Sequence, residues 1–179
     1  MPSEPLTETA ARGKAHQLLD NWLARWPKAT INGYGAAAAR LGFVDAVAPL
    51  LAISSLNLAV ADIAEPLLVS PAALLGTGEA DTAPAAFAAA WQMSLAYWHL
   101  RNRRNPHAVV PPLPRIRHTL LTILAPPGAL TMEDLEGITQ ALQAGIGDQS
   151  AVCFAHGAAP DQPVRARVTV LCLFSPTAA

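Results

Sequence analysis

The second half of the chain alternates extended apolar runs with helical segments, and this order restricts the folds that it can adopt. In the last apolar run, Val168, Val170 and Cys172 share one face, because side chains alternate along a strand. Mixed strands and helices of this kind predict an α+β fold, with helices packed on a four-stranded mixed sheet. The predicted strands are residues 72–76, 119–125, 150–156 and 164–174, and the predicted helices between them are residues 82–101 and 131–144.

The helix predicted at residues 131–144 has the clearest boundaries. Thr131 and Asp134 stand in the S/T-x-x-D/E spacing of a capping box, which supplies hydrogen-bond partners to the first turn of a helix. Gly145 and Gly147 follow the last apolar residue and are expected to end the helix. The sequence therefore predicts both ends of this helix from local chemistry.

The first residues of the chain predict an amphipathic helix. Over residues 7–26, Leu19, Trp22 and Trp26 repeat at helical spacing, and Pro27 ends the pattern. The tryptophans are expected to be core or interface anchors, since large aromatic rings bury much apolar area. An amphipathic helix of this kind needs an apolar surface to cover.

A second helix is predicted at residues 34–53, after a turn at residues 28–35 that contains an Asn-Gly pair. It is apolar on nearly all sides, so we expect burial on most of its faces, and Pro49 predicts a kink. A short helix is predicted at residues 62–68. We divide the chain into an N-terminal helical arm, residues 1–35, and a domain of residues 36–179.

The composition indicates a folded protein with part of its apolar surface covered by a partner. Apolar residues make up 52% of the chain and charged residues 14%, against about 25% charged residues in a typical soluble domain. This balance excludes a wholly disordered chain and favours contact with a second copy or another protein. The formal net charge of −1 gives no indication of nucleic acid binding.

The cysteines and the N-terminus indicate the cellular compartment and give no sign of a cofactor. Cys153 and Cys172 form no metal-like pattern with the histidines, and a reduced, cytoplasmic protein is the simple interpretation. The N-terminus lacks the features of a secretory signal, and no apolar run reaches the length of a membrane span. We therefore expect a cytoplasmic protein without a metal, a cofactor or a transmembrane segment.

Two groups of side chains could carry chemistry, and each has a structural alternative. Cys153 and His156 could act as nucleophile and base, but positions three apart on a strand face opposite sides. Glu133, Asp134 and Glu136 could do acid–base work, whereas acids in a first turn are also favoured by the helix dipole. In both cases the structural interpretation is the simpler one.

Residues 101–118 form the one basic, proline-rich stretch, which is predicted to be an extended loop. Its arginines could bind phosphate or the acidic tail of a partner, or they could be a solvated helix end, where cations are also favoured. The candidate basic patch consists of Arg101, Arg103, Arg104, Arg115 and Arg117.

Four segments, in order, resemble the FtsZ/tubulin family. Residues 44–63 resemble the family's central helix and the loop after it, and residues 57–63 (N-L-A-V-A-D-I) stand where bacterial members carry a pattern close to N-L-D-F-A-D-V. Residues 73–80 (A-L-L-G-T-G-E-A) resemble the A-L-M-G-x-G end of a strand. Residues 121–138 resemble its strand–turn–helix unit, and residues 150–155 and 164–171 resemble its last two strands, where R-V-T-V recurs. The resemblance covers roughly residues 36–174 and implies the C-terminal domain of that family, preceded by its central helix; an unrelated α+β domain of common topology is the alternative.

This resemblance also implies what the 179 residues lack. No G-G-G-T-G-T-G phosphate loop is present, and the glycines at 33 and 35 are only a short pair before a helix. In the family, acidic residues of the loop enter the nucleotide pocket of the neighbouring subunit and orient the attacking water. Here Ala59 stands at the first acidic position, and its methyl group can do neither. The resemblance places the interface at Asn57, Leu58, Ala59 and Asp62.

The resulting hypothesis is a non-enzymatic, FtsZ-like assembly protein that has lost the GTPase activity. Its partner would be a second copy of itself or a full-length, filament-forming FtsZ/tubulin-like protein, as expected of a cytoskeletal or cell-division component. A cap, a sequestering factor or a scaffold would each fit. The alternative is a small α+β enzyme or ligand-binding domain with a pocket at the sheet edge.

Overall fold

A computed structural model describes residues 6–32, 34–35, 39–52, 60–102, 115–147, 150–158 and 165–174. Helices and strands alternate through these residues as the sequence predicts. In chain order they are α1 (Glu8–Arg25), β1 (Thr30–Ile31), β2 (Tyr34–Gly35), α2 (Arg40–Ala52), α3 (Val60–Leu68), β3 (Ala72–Ala80), α4 (Ala83–Asn102), β4 (Ile116–Ala125), α5 (Met132–Ile146), β5 (Ala151–Ala158) and β6 (Ala166–Phe174). None of the described helices is long and apolar enough to cross a membrane.

The strands form one mixed sheet in the order β2-β1-β3-β6-β4-β5. The last strand, β6, lies in the middle and is antiparallel to both β3 and β4, whereas β4 and β5 are parallel. The parallel pair is joined through α5, as a parallel pair requires a crossover. The predicted α+β class is confirmed, but the predicted count of four strands is wrong, because the described residues form six.

The two additional strands lie in the segment predicted to be a plain turn. β1 and β2 pair with each other around Asn32, which has a positive φ of 54°, a conformation that asparagine tolerates better than most residues. β1 also pairs in parallel with Ala72 and Ala73 of β3. Strands of two residues are too short to show alternation in a sequence, and this tertiary pairing is what forms them.

Apolar side chains cover both faces of the sheet. Val168, Val170 and Cys172 of β6 pack into the cluster with α4 and α5, and Leu171 and Leu173 pack into the cluster with α1, α2 and α3. The predicted alternation of β6 is thus confirmed. The molecule is a three-layer sandwich, with the sheet between two groups of helices.

The N-terminal helix α1 packs on α2. The Trp22 ring is fully buried and stacks on Phe43 with ring centroids 5.9 Å apart. Its Nε1–H donates to the carbonyl oxygen of Ser70 at 2.6 Å, which satisfies the one polar group of a buried tryptophan. Thr7 caps the start of α1 by accepting from the Ala10 backbone. These contacts fix α1 as a cover for α2.

Several predicted boundaries shift in the structure. α2 begins at Arg40 rather than at Tyr34, which is taken into β2. α2 is buried on most of its faces, as predicted, and its exposed strip is narrow and includes Leu41, which is 70% exposed. β4 begins at Ile116, inside the predicted loop, and Ile116 joins the core with Phe174. Tertiary pairing, which a local pattern does not encode, sets these ends.

The glycines of the G-T-G segment let α4 lie very close to β3. A Cβ atom on Gly76 would lie 2.0 Å from the Ala90 carbonyl oxygen, and one on Gly78 would lie 2.2 Å from that of Ala86. Both distances are far inside van der Waals contact. The two glycines and the alanines facing them therefore serve helix-on-strand packing.

Candidate functional site

The predicted interface begins in residues that the structure does not describe and ends on α3. Asn57, Leu58 and Ala59 lie outside the described residues. Asp62 lies in the first turn of α3 and is exposed, where a carboxylate is favoured by the helix dipole. Ile63 and Leu67 are buried beneath it and hold α3 on the sheet. The Asp62 carboxylate is thereby presented on a fixed helix end.

Asp62 of α3 lies beside β5, the edge strand of the sheet. The Cys153 thiol lies 3.8 Å from the Asp62 carbonyl oxygen and can donate a weak hydrogen bond to it. Burial raises the pKa of the Cys153 thiol, and the nearby Asp62 charge raises it further, so Cys153 is mainly protonated at neutral pH. Cys153 acts as a packing residue that connects α3 to β5.

Cys153 and His156, the candidate nucleophile and base, lie on opposite sides of the sheet. Cys153 packs with the cluster under α1, α2 and α3, whereas Phe154 packs with the opposite cluster and its ring lies 5.7 Å from that of His156. The two side chains face opposite sides of the sheet, as predicted. Burial raises the pKa of Cys172 to about 12, which makes that thiol a core residue.

Only part of the candidate basic patch can be placed. Arg103 and Arg104 lie outside the described residues, and the backbone of Arg101 belongs to α4. Arg115 and Arg117 are exposed at the start of β4. Burial lowers the pKa of the neighbouring His118, and the Arg117 charge lowers it further. The start of β4 therefore carries two exposed arginines.

The acidic helix end and the basic strand end lie on the same part of the sheet. His118 of β4 is opposite Ala151 of β5, and Leu120 is opposite Cys153, whose thiol reaches Asp62. Two residues of a strand span about 7 Å. By this register, Asp62 and Arg117, the described parts of the two predicted surfaces, both lie toward the end of the sheet at which β4 and β5 begin. This end is the candidate interaction face.

The acidic cluster at the start of α5 is structural. The Asp134 carboxylate accepts from the backbone and hydroxyl of Thr131, and the Thr131 hydroxyl accepts from the Asp134 backbone, which confirms the capping box. These hydrogen bonds lower the pKa of Asp134. Glu133 and Glu136 point to solvent. In the part of the chain that the structure describes, no three metal-ligating side chains come together.

One site was missed by the sequence interpretation. The side chain of Asn32 accepts from the Leu75 backbone N–H at 2.7 Å and donates to the Leu75 carbonyl at 2.9 Å. The side chain of Asn32 thus makes the two hydrogen bonds to β3 that the backbone of a neighbouring strand would make. A cavity lies beside Asn32. The Asn-Gly pair signalled a turn, but nothing in the sequence tells which strand it meets.

The comparisons with known proteins rest on structure alone. No protein-family model matches the sequence, and no curated protein matches it. Among solved structures, the chain is similar to an empty FtsZ dimer from M. jannaschii, with a TM-score of 0.55 and 15% identity over 76% of this chain. It is also similar to TubZ-Bt in a four-stranded filament, with a TM-score of 0.53 and 8% identity over 92% of this chain.

These likenesses establish a tubulin/FtsZ-like fold. The chain spans 38% of the length of the FtsZ chain and 41% of the length of the TubZ chain that it matches. At such identities the fold is what is shared.

Proposed function

We propose that this chain, with its tubulin/FtsZ-like fold, is a non-enzymatic assembly protein that binds a full-length, filament-forming relative or a second copy of itself. The contact would use the candidate interaction face, which contains Asp62, and residues 57–59 shortly precede Asp62 in the sequence. Because residue 59 is alanine, docking would leave the partner's nucleotide unhydrolysed. A chain with one such face acts as a filament cap or sequesters subunits.

The observation that supports this proposal is the cover that α1 provides for α2. In the family that the sequence resembles, the nucleotide-binding domain covers the central helix. Here Trp22 and Leu19 of α1 bury Phe43 and Val44 of α2 within one cluster. Two ion pairs, Arg12 to Asp45 at 2.8 Å and Arg40 to Asp20, also join the two helices. The described part of the chain therefore closes its core without a nucleotide-binding domain.

The sequence supports the proposed loss of nucleotide chemistry. Phosphate binding of the family's kind needs a run of backbone N–H groups from a glycine-rich loop, and none occurs in these 179 residues. We expect isothermal titration to detect no GTP binding. Micromolar GTP binding would contradict the proposal.

The proposed role as a filament cap follows from the head-to-tail geometry of the contact between subunits. Head-to-tail filaments use two different faces on each subunit, so that growth continues at both ends. A chain that carries only the Asp62-bearing face can dock onto the exposed nucleotide face of a relative, and no further subunit can then add. Self-association through the same face would instead end at a closed oligomer.

The central experiment measures binding to the full-length FtsZ/tubulin-like protein encoded in the same genome, loaded with GTP. Asp62→Arg places a cation at the contact and should weaken binding more than tenfold, about 1.4 kcal/mol. Glu136→Arg is the matched control, since Glu136 is an exposed carboxylate on α5, in the helical layer on the other side of the sheet. Light scattering of the chain alone measures self-association in parallel.

The same measurement separates the two candidate surfaces. If Asp62→Arg leaves binding unchanged while substitutions at Arg103 and Arg104 abolish it, the candidate basic patch is the contact and the capping proposal is wrong. Ala59→Asp restores the missing carboxylate, and we expect it to increase GTP hydrolysis by the partner without loss of binding.

The alternative, an enzyme or ligand-binding domain with an edge pocket, has weaker support. A cavity does lie at the sheet edge beside β3, but the only groups in its described lining suited to acid–base or nucleophilic chemistry are the hydroxyls of Tyr34, Thr77 and Tyr97. A hydroxyl nucleophile needs an adjacent base, and the described lining contains no carboxylate, imidazole, amine or thiol.

A further inference from the structure

The outer edge of β3 is only partly paired. Backbone groups of alternate residues point to this edge: Ala73 accepts from the Asn32 backbone, and Leu75 is held by the Asn32 side chain. By the same alternation, the N–H and C=O groups of Thr77 and Glu79 also point outward, because β3 pairs with β6 without a register shift up to Ala80. Among the described residues, no strand pairs with Thr77 or Glu79 on this side.

A cavity of about 300 Å³ lies along this edge. α2 contributes Gly42 on one side of the sheet, and α4 contributes Met93 and Tyr97 on the other, so the cavity lies between the two helical layers. That is the position of a strand added to β3. We call this cavity the β3 notch; its described lining is Ile31, Asn32, Tyr34, Ala39, Gly42, Leu75, Thr77, Met93 and Tyr97.

The chemistry of the β3 notch selects an uncharged occupant. Its described lining carries no carboxylate, imidazole, guanidinium or amine, only two phenol groups, a hydroxyl, an amide and apolar groups. Tyr34 is 58% exposed and Met93 is 42% exposed. Burying a charge here without a partner would be costly, whereas apolar or hydroxyl side chains could be accommodated.

A second copy of the chain is a poor occupant for the same reason. Antiparallel pairing of two β3 edges would bring Glu79 and Asp81 of the second copy toward the uncharged notch. Both carboxylates are already engaged on their own chain, Glu79 with Arg167 at 2.5 Å and Asp81 with Arg165 at 3.3 Å. Strand addition is a common way for a sheet edge to bind a foreign segment.

We infer that the β3 notch is a docking site for an extended, uncharged segment of a partner protein, which adds a strand to β3 at Thr77 and Glu79 and places an apolar side chain between Tyr34 and Met93. This site is separate from the candidate interaction face, because β3 and β5 lie toward opposite edges of the sheet. Main-chain hydrogen bonds would give affinity, and the notch would select the side chain.

The probe is a random linear heptapeptide library displayed on phage and selected on the whole chain, followed by synthetic copies of the enriched peptides. We expect enrichment of uncharged sequences with alternating apolar residues. Thr77→Pro removes an N–H that β6 does not use, and it should weaken peptide binding at least tenfold. Thr77→Val, which keeps the backbone N–H and the shape of the side chain, should bind close to wild-type affinity.

Backbone methylation of the peptide tests the same hydrogen bonds without altering the fold. Methylating the peptide nitrogens that face β3 should abolish binding, while methylating the alternate nitrogens should not. Equal effects of the two methylation patterns would overturn the inference, as would peptides that bind Thr77→Pro as well as wild type. A wild-type dimer that Thr77→Pro converts to a monomer would assign the edge to a second copy and would also overturn it.

Discussion

At the scale of single residues, protonation of His118 makes the charge at the start of β4 depend on pH. Its pKa is lowered by burial and by the Arg117 charge. In the unfolded chain the pKa returns to about 6.5. As pH falls through that value, the unfolded state takes up the proton first, so the free energy of unfolding decreases.

We therefore predict that Arg117→Gln raises the pKa of His118 and reduces the loss of stability below pH 6.5. NMR titration of the His118 ring protons measures the pKa directly. Arg115→Gln is the control, since it removes an equal charge two residues earlier on the same exposed strand end. An unchanged His118 pKa in Arg117→Gln would show that burial alone lowers it.

At the scale of elements, the contact between β3 and α4 has no room for a side chain. A Cβ atom at Gly76 meets the backbone of α4 at 2.0 Å, and backbone cannot rotate away as a side chain can. Overpacking of this kind usually costs about 1–3 kcal/mol, occasionally more.

Gly76→Ala should therefore lower the free energy of unfolding by about 1–3 kcal/mol, measured by urea denaturation. Gly137→Ala gives the opposite expectation. Gly137 lies inside α5 with no atom within 4 Å of a new Cβ, and alanine is favoured over glycine in a helix by about 1 kcal/mol. If Gly76→Ala and Gly137→Ala both lowered the free energy of unfolding, the glycines of β3 and α5 would be equally constrained, contrary to the structure.

Elements with local signals were predictable, and elements formed by tertiary pairing were not. The capping residues Thr131 and Asp134 placed the start of α5 within one residue. The strands on either side of Asn32 carry no periodic pattern and exist through pairing with β3. The same limit applies to the sites. The local sequence pattern predicts Asp62 at the start of a helix. The β3 notch could not be predicted, because it depends on which strand lies at the edge of the sheet.

At the scale of the whole molecule, α1 completes the core of the domain. Trp22 is fully buried between α1 and α2, whereas Trp26, one turn later, is only partly buried. The predicted division into an arm of residues 1–35 and a domain of residues 36–179 stays a prediction. The shared cluster of α1 and α2 favours unfolding of the two parts together.

Trp22→Ala should cost about 3–5 kcal/mol of unfolding free energy, because it removes a stacked, hydrogen-bonded ring and leaves a cavity. Trp26→Ala, which removes a similar ring from a partly buried position, should cost less. Thermal unfolding followed by tryptophan fluorescence and circular dichroism measures both changes. A Trp22→Ala protein as stable as Trp26→Ala would mean that α1 contributes little to the core.

The position of Asn32 has a further consequence, in the chemical ageing of the protein. A single side-chain amide supplies both the donor and the acceptor that hold the Leu75 backbone, and glycine follows it in the sequence, the neighbour that least hinders loss of the amide. Conversion to aspartate would replace the donated N–H by a second oxygen facing the Leu75 carbonyl. One slow, uncatalysed hydrolysis would thereby open the edge of β3 next to the notch.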